Sequence, residues 1–329
     1  MCGALAAVFI NMPLPWMLGA MFTVMVVAIL GANLTAPAKL RGVMVPILGV
    51  MLGSGFSPAI FSNAADWAVT LAILPFFIVA AFGAAYVIYR RVGRYDPVTA
   101  FYASAPGGVN DMILMGAEAG GDERRIAMAH AGRIFMVVTL VVLFYTLVLE
   151  VETTGDSRPF ISFADVGLRD LSILAACAIA GAYLGPKVGL PAPIILGPMI
   201  LSGLVHVTGV THAAPPTVAV NATQLVMGTV IGCRFAGANP HAVMKDLGLS
   251  LVVATAMLIV AVPVALSVSM LTGIDIRETF LSFSPGGLPE MSILALSLDA
   301  DIAYIATVHI IRIVLVIALA PLFFRLIRR

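Results

Sequence analysis

Long apolar runs, separated by short polar stretches, recur along the whole chain. A helix of about 17 to 25 apolar residues crosses a hydrocarbon core about 30 Å thick. Apolar runs of this length therefore favour membrane-spanning helices. The sequence predicts spans at 16–33, 43–62, 66–90, 126–149, 168–185, 190–209, 218–237, 247–271 and 302–326, with less regular segments at 97–116 and 276–297. We therefore expect an all-α integral membrane protein, a polytopic bundle of about 10–12 membrane segments.

The composition supports this class and excludes others. Apolar residues make up 61% of the chain and charged residues 11%, whereas soluble domains are about 45–50% apolar and 25% charged. The 18 basic residues are balanced by 17 acidic ones and form no clustered basic face of the kind that nucleic acid requires. Cys2, Cys177 and Cys233 are scattered in apolar sequence, which is neither a disulfide framework nor a metal pattern. We expect no nucleic-acid partner, no metal and no cofactor.

The chain contains an internal duplication, visible as motifs that recur at a nearly constant spacing. PLPWMLGAM at 13–21 aligns with PAPIILGPM at 191–199, which lies 178 residues later. At a spacing of 179 residues, GVMLGSGF at 49–56 aligns with GTVIGCRF at 228–235, and APGGVNDM at 105–112 with SPGGLPEM at 284–291. The same spacing relates Asp122 to Asp301, His130 to His309 and Arg133 to Arg312. The sequence thus predicts a first membrane repeat at 1–150, an inter-repeat loop at 151–167 and a second membrane repeat at 168–329.

The first repeat looks truncated at its N-terminus. The second repeat opens with an apolar helix at 168–185, and the counterpart of that helix would begin upstream of Met1. Either the true start of the chain lies upstream, or the first repeat has only a half-length opening helix; we favour the first alternative. In both repeats a proline-rich helix start is followed by a glycine, Gly19 or Gly197, where we expect close packing.

Loop charge bears on whether the repeats are parallel or inverted. If each repeat crosses the membrane six times, eleven Lys and Arg lie in loops on one side and four on the other. If the Pro-Gly-Gly segment enters and leaves by the same face, the second repeat is inverted and the split is twelve against three. We favour inversion, because paired broken segments mark the binding sites of inverted-repeat transporters. Both arrangements place the same basic residues in the cytoplasm: Lys39, Arg41, Arg90, Arg91, Arg94, Arg325, Arg328 and Arg329.

The two Pro-Gly-Gly segments interrupt membrane helices and indicate a site. Irregular backbone at membrane depth is tolerated only where it is buried in protein or faces a watery cavity. The half-helix that follows each break offers free amides and a positive dipole end, which suit an anion such as a carboxylate. We expect backbone amides around four glycines to bind it: Gly107, Gly108, Gly286 and Gly287. Asp111 and Glu290 lie in the first turn of those half-helices, where a carboxylate either caps the helix or meets a cation or proton.

A histidine and an arginine follow each break with a spacing of three, which places both side chains on one face of a helix. These are His130 with Arg133, and His309 with Arg312. Arg312 lies in strongly apolar sequence and offers a planar fork to a carboxylate of Glu290, Asp301 or a substrate. The histidines could carry a proton. The alternative is a structural ion pair or hydrogen-bond network that locks the two repeats together.

Several motifs together resemble one known family. Each repeat has P-x-P-x-x-L-G, a glycine-rich third helix, an [AS]-P-G-G break followed by an acidic residue and Met, and a later H-x-x-R. In these features the chain is similar to the bacterial membrane AbrB duplication family, whose members are often labelled ammonia monooxygenases or AbrB-type regulators. The resemblance implies two AbrB-like membrane repeats in a bacterial inner membrane. A more distant similarity is to inverted-repeat cation/proton antiporter and anion symporter folds.

These observations predict a secondary transporter of a small organic anion, and not an enzyme. The substrate would bind between the two breaks and to Arg133 and Arg312, with coupling to protons or sodium through Asp111, Glu290, His130 or His309. One alternative is a membrane-embedded sensor that affects gene expression, as the family label implies. A membrane monooxygenase is less favoured, because its metal requires clustered ligands and the five histidines are dispersed. The expected partners are the lipid bilayer, the anion and the coupling ion; whether the chain forms homo-oligomers stays open.

Overall fold

The computed structural model describes residues 1–12, 14–32, 34–58, 64–149, 160–237, 239–298 and 300–327. Within these ranges the fold is all helical, as predicted. The first repeat forms α1 (Cys2–Phe9), α2 (Pro15–Ile29), α3 (Ala38–Ser54), α4 (Ala64–Arg91), α5 (Pro97–Ser104), α6 (Val109–Glu118) and α7 (Glu123–Leu147). The second forms α8 (Leu168–Val188), α9 (Pro193–Val207), α10 (Thr217–Cys233), α11 (Pro240–Thr272), α12 (Ile276–Phe283), α13 (Leu288–Ser297) and α14 (Ile302–Ile327).

The lengths of the helices fit a multi-pass membrane protein. Among the described residues, five helices are long and apolar enough to cross a bilayer, namely α4, α7, α8, α11 and α14. Four others, α2, α9, α10 and α13, are apolar but shorter. The expectation of a polytopic helical membrane protein is therefore confirmed.

Helix boundaries recur between the two repeats. The half-helices α5 and α12 begin at Pro97 and Ile276, which are 179 residues apart, and α6 and α13 begin at the same spacing. The opening helices differ, since α1 has 8 residues and α8 has 21.

The helices form two compact units, and each unit takes corresponding helices from both repeats. The first unit comprises Met1–Ala64, Leu149–Gly237 and Ser292–Ala303; the second comprises Ala65–Val148, Ala238–Met291 and Tyr304–Arg329. The compact units therefore follow different boundaries from the sequence repeats 1–150 and 168–329. In the loop at 151–167, residues 151–159 lie outside the described residues, as do Pro13, Arg328 and Arg329.

In the first unit, α3 crosses α9 at very short range. A Cβ built on Gly49 would lie 2.5 Å from the carbonyl oxygen of Ile195, and one on Gly53 would lie 2.5 Å from that of Met199. The two glycines have the G-x-x-x-G spacing that lets membrane helices approach backbone to backbone. Because both partner numbers rise together, α3 and α9 run parallel.

The equivalent crossing joins α10 and α2. A Cβ on Gly228 would collide with the carbonyl of Met17, and one on Gly232 would lie 2.8 Å from that of Met21. These four positions are the counterparts of the α3–α9 contact in the opposite repeat, so α10 and α2 also run parallel. Reciprocal contacts of this kind are produced by a pseudo-two-fold relation between the repeats.

The loop after α9 shows that the repeats are inverted within this unit. The chain stays beside the end of α9, where the His206 Nε2 lies 3.1 Å from the carbonyl oxygen of Ala213. Six residues into α10, Thr223 Oγ1 lies 3.8 Å from Met44 Sδ, in the first half of α3. Hence α10 turns back beside α3 and runs opposite to α9. Since α10 is parallel to α2, α2 runs opposite to α9, its own counterpart.

Glycines also bring the proline-rich helix starts close to their neighbours. A Cβ on Gly19 would lie 2.5 Å from the carbonyl oxygen of Gly3, and one on Gly197 would collide with the carbonyl of Gly181. The close packing predicted for Gly19 and Gly197 is confirmed. It ties α2 to α1 and α9 to α8.

In the second unit, the two broken segments start at levels that are far apart along the long helix α11. A Cβ on Gly93, just after α4, would lie 2.8 Å from a methyl carbon of Leu249, in the first third of α11. From Leu249 the helix α11 continues to Thr272, a rise of about 34 Å at 1.5 Å per residue. Because α5 follows Gly93 and α12 follows Thr272, their starts are separated by about a membrane thickness.

The first broken segment is a re-entrant hairpin. A Cβ on Gly116 in α6 would lie 3.2 Å from Tyr102 in α5, and one on Gly121 would lie 3.2 Å from Val98. The helices α5 and α6 therefore lie side by side and antiparallel, and the segment leaves by the face that it entered. This hairpin corresponds to the arrangement in which twelve loop Lys and Arg lie on one side of the membrane and three on the other.

Candidate functional site

Each break begins where an aspartate-capped half-helix ends. Asp96 accepts hydrogen bonds from the amides of Val98 and Thr99 at the start of α5, and its counterpart Asp275 caps α12. Hydrogen bonds from the Arg277 side chain lower the pKa of Asp275 below its ordinary value. These caps favour a half-helix directly after a long spanning helix.

The backbone at the end of each half-helix is extended. Ala105 has φ −62° and ψ 123°, and Ser284 has φ −61° and ψ 130°. After the two following residues, Gly108 adopts a left-handed conformation with φ 58° at the start of α6. Gly287 is not among the residues with positive φ. The backbone conformation is therefore the same in the first half of the two breaks and different in the second half.

Arg133 on α7 binds the end of α5. Its Nη1 donates to the carbonyl oxygen of Ala105 at 2.6 Å, and its Nη2 lies 3.1 Å from Nδ1 of His130. Because a guanidinium nitrogen only donates, His130 Nδ1 accepts, and the ring proton is on Nε2, which donates to the carbonyl oxygen of Tyr102 at 3.0 Å. His130 thus holds the guanidinium in place.

Arg312 on α14 binds the second break in the same way. Its Nη1 donates to the carbonyl oxygen of Ser284 and its Nη2 to that of Gly286, both at 2.7 Å. Ser284 is the counterpart of Ala105, so each arginine reaches a carbonyl 28 residues before it. His309 differs from His130, because its Nδ1 lies 3.0 Å from the carbonyl oxygen of Ile305 and therefore donates.

The two arginines are buried and have spare hydrogen-bonding capacity. Arg133 is 2% exposed and Arg312 is 1% exposed. Within the described part of the chain, neither forms an ion pair with a carboxylate, and the Nε of each has no hydrogen-bond partner. The carbonyl ends of α5 and α12 supply part of the compensating negative charge. The sequence had suggested carboxylates as partners, and backbone carbonyls take that place.

Both breaks lie beside α14. A Cβ on Gly107 would lie 3.6 Å from Cα of Ile313, and one on Gly108 would lie 2.8 Å from Cγ1 of Ile317. Ile313 directly follows Arg312, whose guanidinium binds Gly286. Contacts inside the second unit therefore connect one break to the other through one turn of α14.

The depth of the arginines suits the middle of a membrane. Arg133 and Arg312 are each ten residues beyond the first residue of their helix, which corresponds to about 15 Å. That distance is about half of a hydrocarbon core of about 30 Å. Burying a cation at this depth costs free energy, so such a residue is kept where it serves structure or function.

The acidic residues after the two breaks are placed differently. Asp111 is exposed, and its Oδ2 would lie 3.8 Å from a Cβ on Gly108. Glu290 is 5% exposed, and its carboxylate lies against Gly287, where a Cβ would collide with Oε2. The same role was expected for both residues, but Glu290 is buried and Asp111 is exposed.

The remaining acidic candidates are at helix starts. Asp122 caps α7 by accepting from the amide of Arg125, and its counterpart Asp301 directly precedes α14. Among the described residues, no three His, Cys, Asp or Glu side chains form a group that could hold a metal ion.

Comparison with known proteins gives the family. Residues 16–328 match the AbrB family model, which is described as "Transition state regulatory protein AbrB". The chain belongs to the AbrB family. It is 30% identical over 296 residues to "Uncharacterized protein YhjN" of Bacillus subtilis (strain 168), covering 85% of this chain and 76% of that protein. It is 24% identical over 316 residues to "Putative regulator AbrB" of Escherichia coli (strain K12), covering 95% of this chain and 89% of that protein.

Two features of this AbrB-family chain were missed from sequence. The first is the set of carbonyl partners of the arginines: Ala105 and Ser284, each 28 residues before its arginine, and Gly286, 26 residues before Arg312. The G-x-x-x-G pairs of α3 and α10 were noted only as repeat markers, although that spacing in an apolar helix indicates a close crossing.

Proposed function

We propose that this AbrB-family chain is a secondary transporter of a small organic anion, and not an enzyme. One observation carries the proposal: two buried arginines, without carboxylate partners among the described residues, bind both helix breaks at mid-membrane depth. Positive charge, free Nε–H donors and half-helix N-termini together favour an anion. Inverted repeats with paired broken helices are the arrangement in which transporters bind substrate near the midplane.

The proposal includes a location and an orientation. Both relatives come from bacteria, which supports a bacterial inner membrane. The hairpin arrangement puts twelve loop Lys and Arg on one side and three on the other, and the richer side is cytoplasmic by the positive-inside rule. This side includes Arg325, so the C-terminus is cytoplasmic.

Transport can be tested with the full chain in proteoliposomes. Acetate, lactate, succinate and glutamate are applied in turn, with and without a proton or sodium gradient, and uptake of the radiolabelled anion is recorded. We expect at least one anion to be taken up, and Arg133→Gln and Arg312→Gln to abolish that uptake. Arg277→Gln is the control, because this arginine pairs with Asp275 at a half-exposed helix start, and its uptake should match that of the unmodified chain.

Loss of folding must be separated from loss of transport. Each variant is therefore checked by size-exclusion chromatography in detergent, and Arg312→Lys is added because lysine keeps the charge without the planar fork. We expect Arg312→Lys to remain folded and to transport at least tenfold more slowly, a change of about 1.4 kcal/mol in barrier. Uptake that persists unchanged in all three folded variants would contradict the assignment of the site.

A second candidate, a membrane-embedded sensor, is favoured by the description of the family and by the name of the Escherichia coli relative. A sensor would bind the anion at the same breaks without moving it. Stabilisation of the purified protein by an anion, together with no uptake of that anion, would favour the sensor over the transporter.

A further inference from the structure

The burial of the first acidic residue after each break differs between the two repeats, which the similar sequences do not suggest. Glu290 is buried, and its carboxylate is folded back onto Gly287, where a Cβ would also lie 3.1 Å from Cδ. Asp111 occupies the equivalent position after Gly108, but it is exposed. The second repeat therefore carries a buried carboxylate at its break, and the first carries an exposed one.

The position of Glu290 is one that an anionic ligand would take. Glu290 is the third residue of α13, and a glutamate at that position can reach back to the amides at the helix start. Those amides, with the positive end of the helix, are the donors that a half-helix offers to a bound anion. The Arg312 guanidinium is held at Gly286 in the same break, with its buried Nε–H unpartnered. An anion that enters this break must therefore displace the Glu290 carboxylate.

We propose that Glu290 is a tethered anion that occupies the α13 half of the binding site and gives way to substrate by taking up a proton. The inference rests on the proposed anion site and names its coupling residue. One proton from water converts the carboxylate to a neutral acid as one anionic group of the substrate takes its place, so the charge in the α13 half is unchanged. The α6 half has no buried occupant, because Asp111 is exposed, although its Oδ2 would lie 3.8 Å from a Cβ on Gly108. The substrate that uses both halves is a carboxylate with two acidic groups.

The test measures binding rather than flux. Thermal unfolding of the purified full chain is followed against succinate at pH 6 and pH 8, for the unmodified chain, Glu290→Gln and the matched variant Asp111→Asn. We expect Glu290→Gln to bind succinate about tenfold more tightly than the unmodified chain at pH 8 and with the same affinity at both pH values. The unmodified chain and Asp111→Asn should bind more tightly at pH 6 than at pH 8.

A second variant removes the carboxylate from the break without changing it. Gly287 does not have a positive φ, so an alanine fits the backbone, and its Cβ would collide with Glu290 Oε2. Gly287→Ala should therefore reproduce the tighter binding of Glu290→Gln at pH 8. The proposal is overturned if both variants match the unmodified chain at pH 8, or if Asp111→Asn gains as much. If the chain shows this exchange but takes up no anion, the proposed transport is wrong and the proposed role of Glu290 still holds.

Discussion

The buried arginines stabilise an irregular backbone. A carbonyl at the end of a half-helix inside a membrane has no water to accept from, and an unsatisfied one costs several kcal/mol. Arg133 and Arg312 donate to such carbonyls, at Ala105 and Ser284. The same side chains thus complete the break and carry the charge that attracts an anion. Structural and binding roles are combined in one residue, so a variant must be tested for folding and for binding separately.

His130 provides a prediction at this scale. It accepts from Arg133 and donates to Tyr102 in a fully buried position. His130→Ala should leave a guanidinium donor and the Tyr102 carbonyl without partners and lower the free energy of unfolding by about 2 kcal/mol. His241 is exposed, so His241→Ala should change the free energy of unfolding by less than about 0.5 kcal/mol. Denaturant unfolding in detergent measures both, and equal values would contradict the bracing role of His130.

At the scale of elements, glycine pairs set the distance between helices. Gly53 in α3 faces the carbonyl of Met199, and Gly232 in α10 faces that of Met21. Membrane helices associate through such close packing, since lipid removes the hydrophobic drive that operates in water. The reciprocal pairs therefore hold together corresponding parts of both repeats in the first unit.

Substitutions within α3 test this. Gly53→Ala would place a Cβ 2.5 Å from both the Met199 carbonyl oxygen and the Ser202 Cβ, and should lower the free energy of unfolding by about 1–3 kcal/mol. Gly42 lies in the same helix with nothing within 4 Å of a built Cβ, so Gly42→Ala should be neutral or stabilise by up to about 1 kcal/mol. The midpoints of thermal unfolding should therefore move in opposite directions or differ clearly. If Gly53→Ala is as stable as Gly42→Ala, the crossing is not as tight as described.

For the molecule as a whole, sequence predicted what depends on local pattern. Apolar runs gave the membrane class, and Pro-Gly-Gly gave the positions of the breaks, because these residues cannot continue a helix whatever surrounds them. The carbonyl partners of Arg133, the burial of Glu290 and the exposure of Asp111 depend on packing between distant segments, which one sequence does not specify. For the same reason, the duplication in the sequence did not predict that each compact unit is built from both repeats.

The orientation of the two breaks is a property of the entire fold, and it can be measured. Because α5 and α6 form a hairpin, Arg94 before α5 and Glu123 after α6 should lie on one face of the membrane. Because α11 runs to the opposite face before α12 begins, Arg277 should lie on the other.

Single cysteines test this arrangement in the full chain after Cys2, Cys177 and Cys233 are replaced by alanine. Arg94→Cys and Glu123→Cys should react with an impermeant maleimide only in inside-out vesicles, since the positive-inside rule places that face in the cytoplasm. Arg277→Cys should react only in right-side-out vesicles. If Arg94 and Glu123 label from opposite faces, the first break crosses the membrane; if Arg277 labels with Arg94, the repeats are parallel. Either result would remove the geometry in which two half-helices converge on one anion, because that convergence requires the breaks to enter from opposite sides.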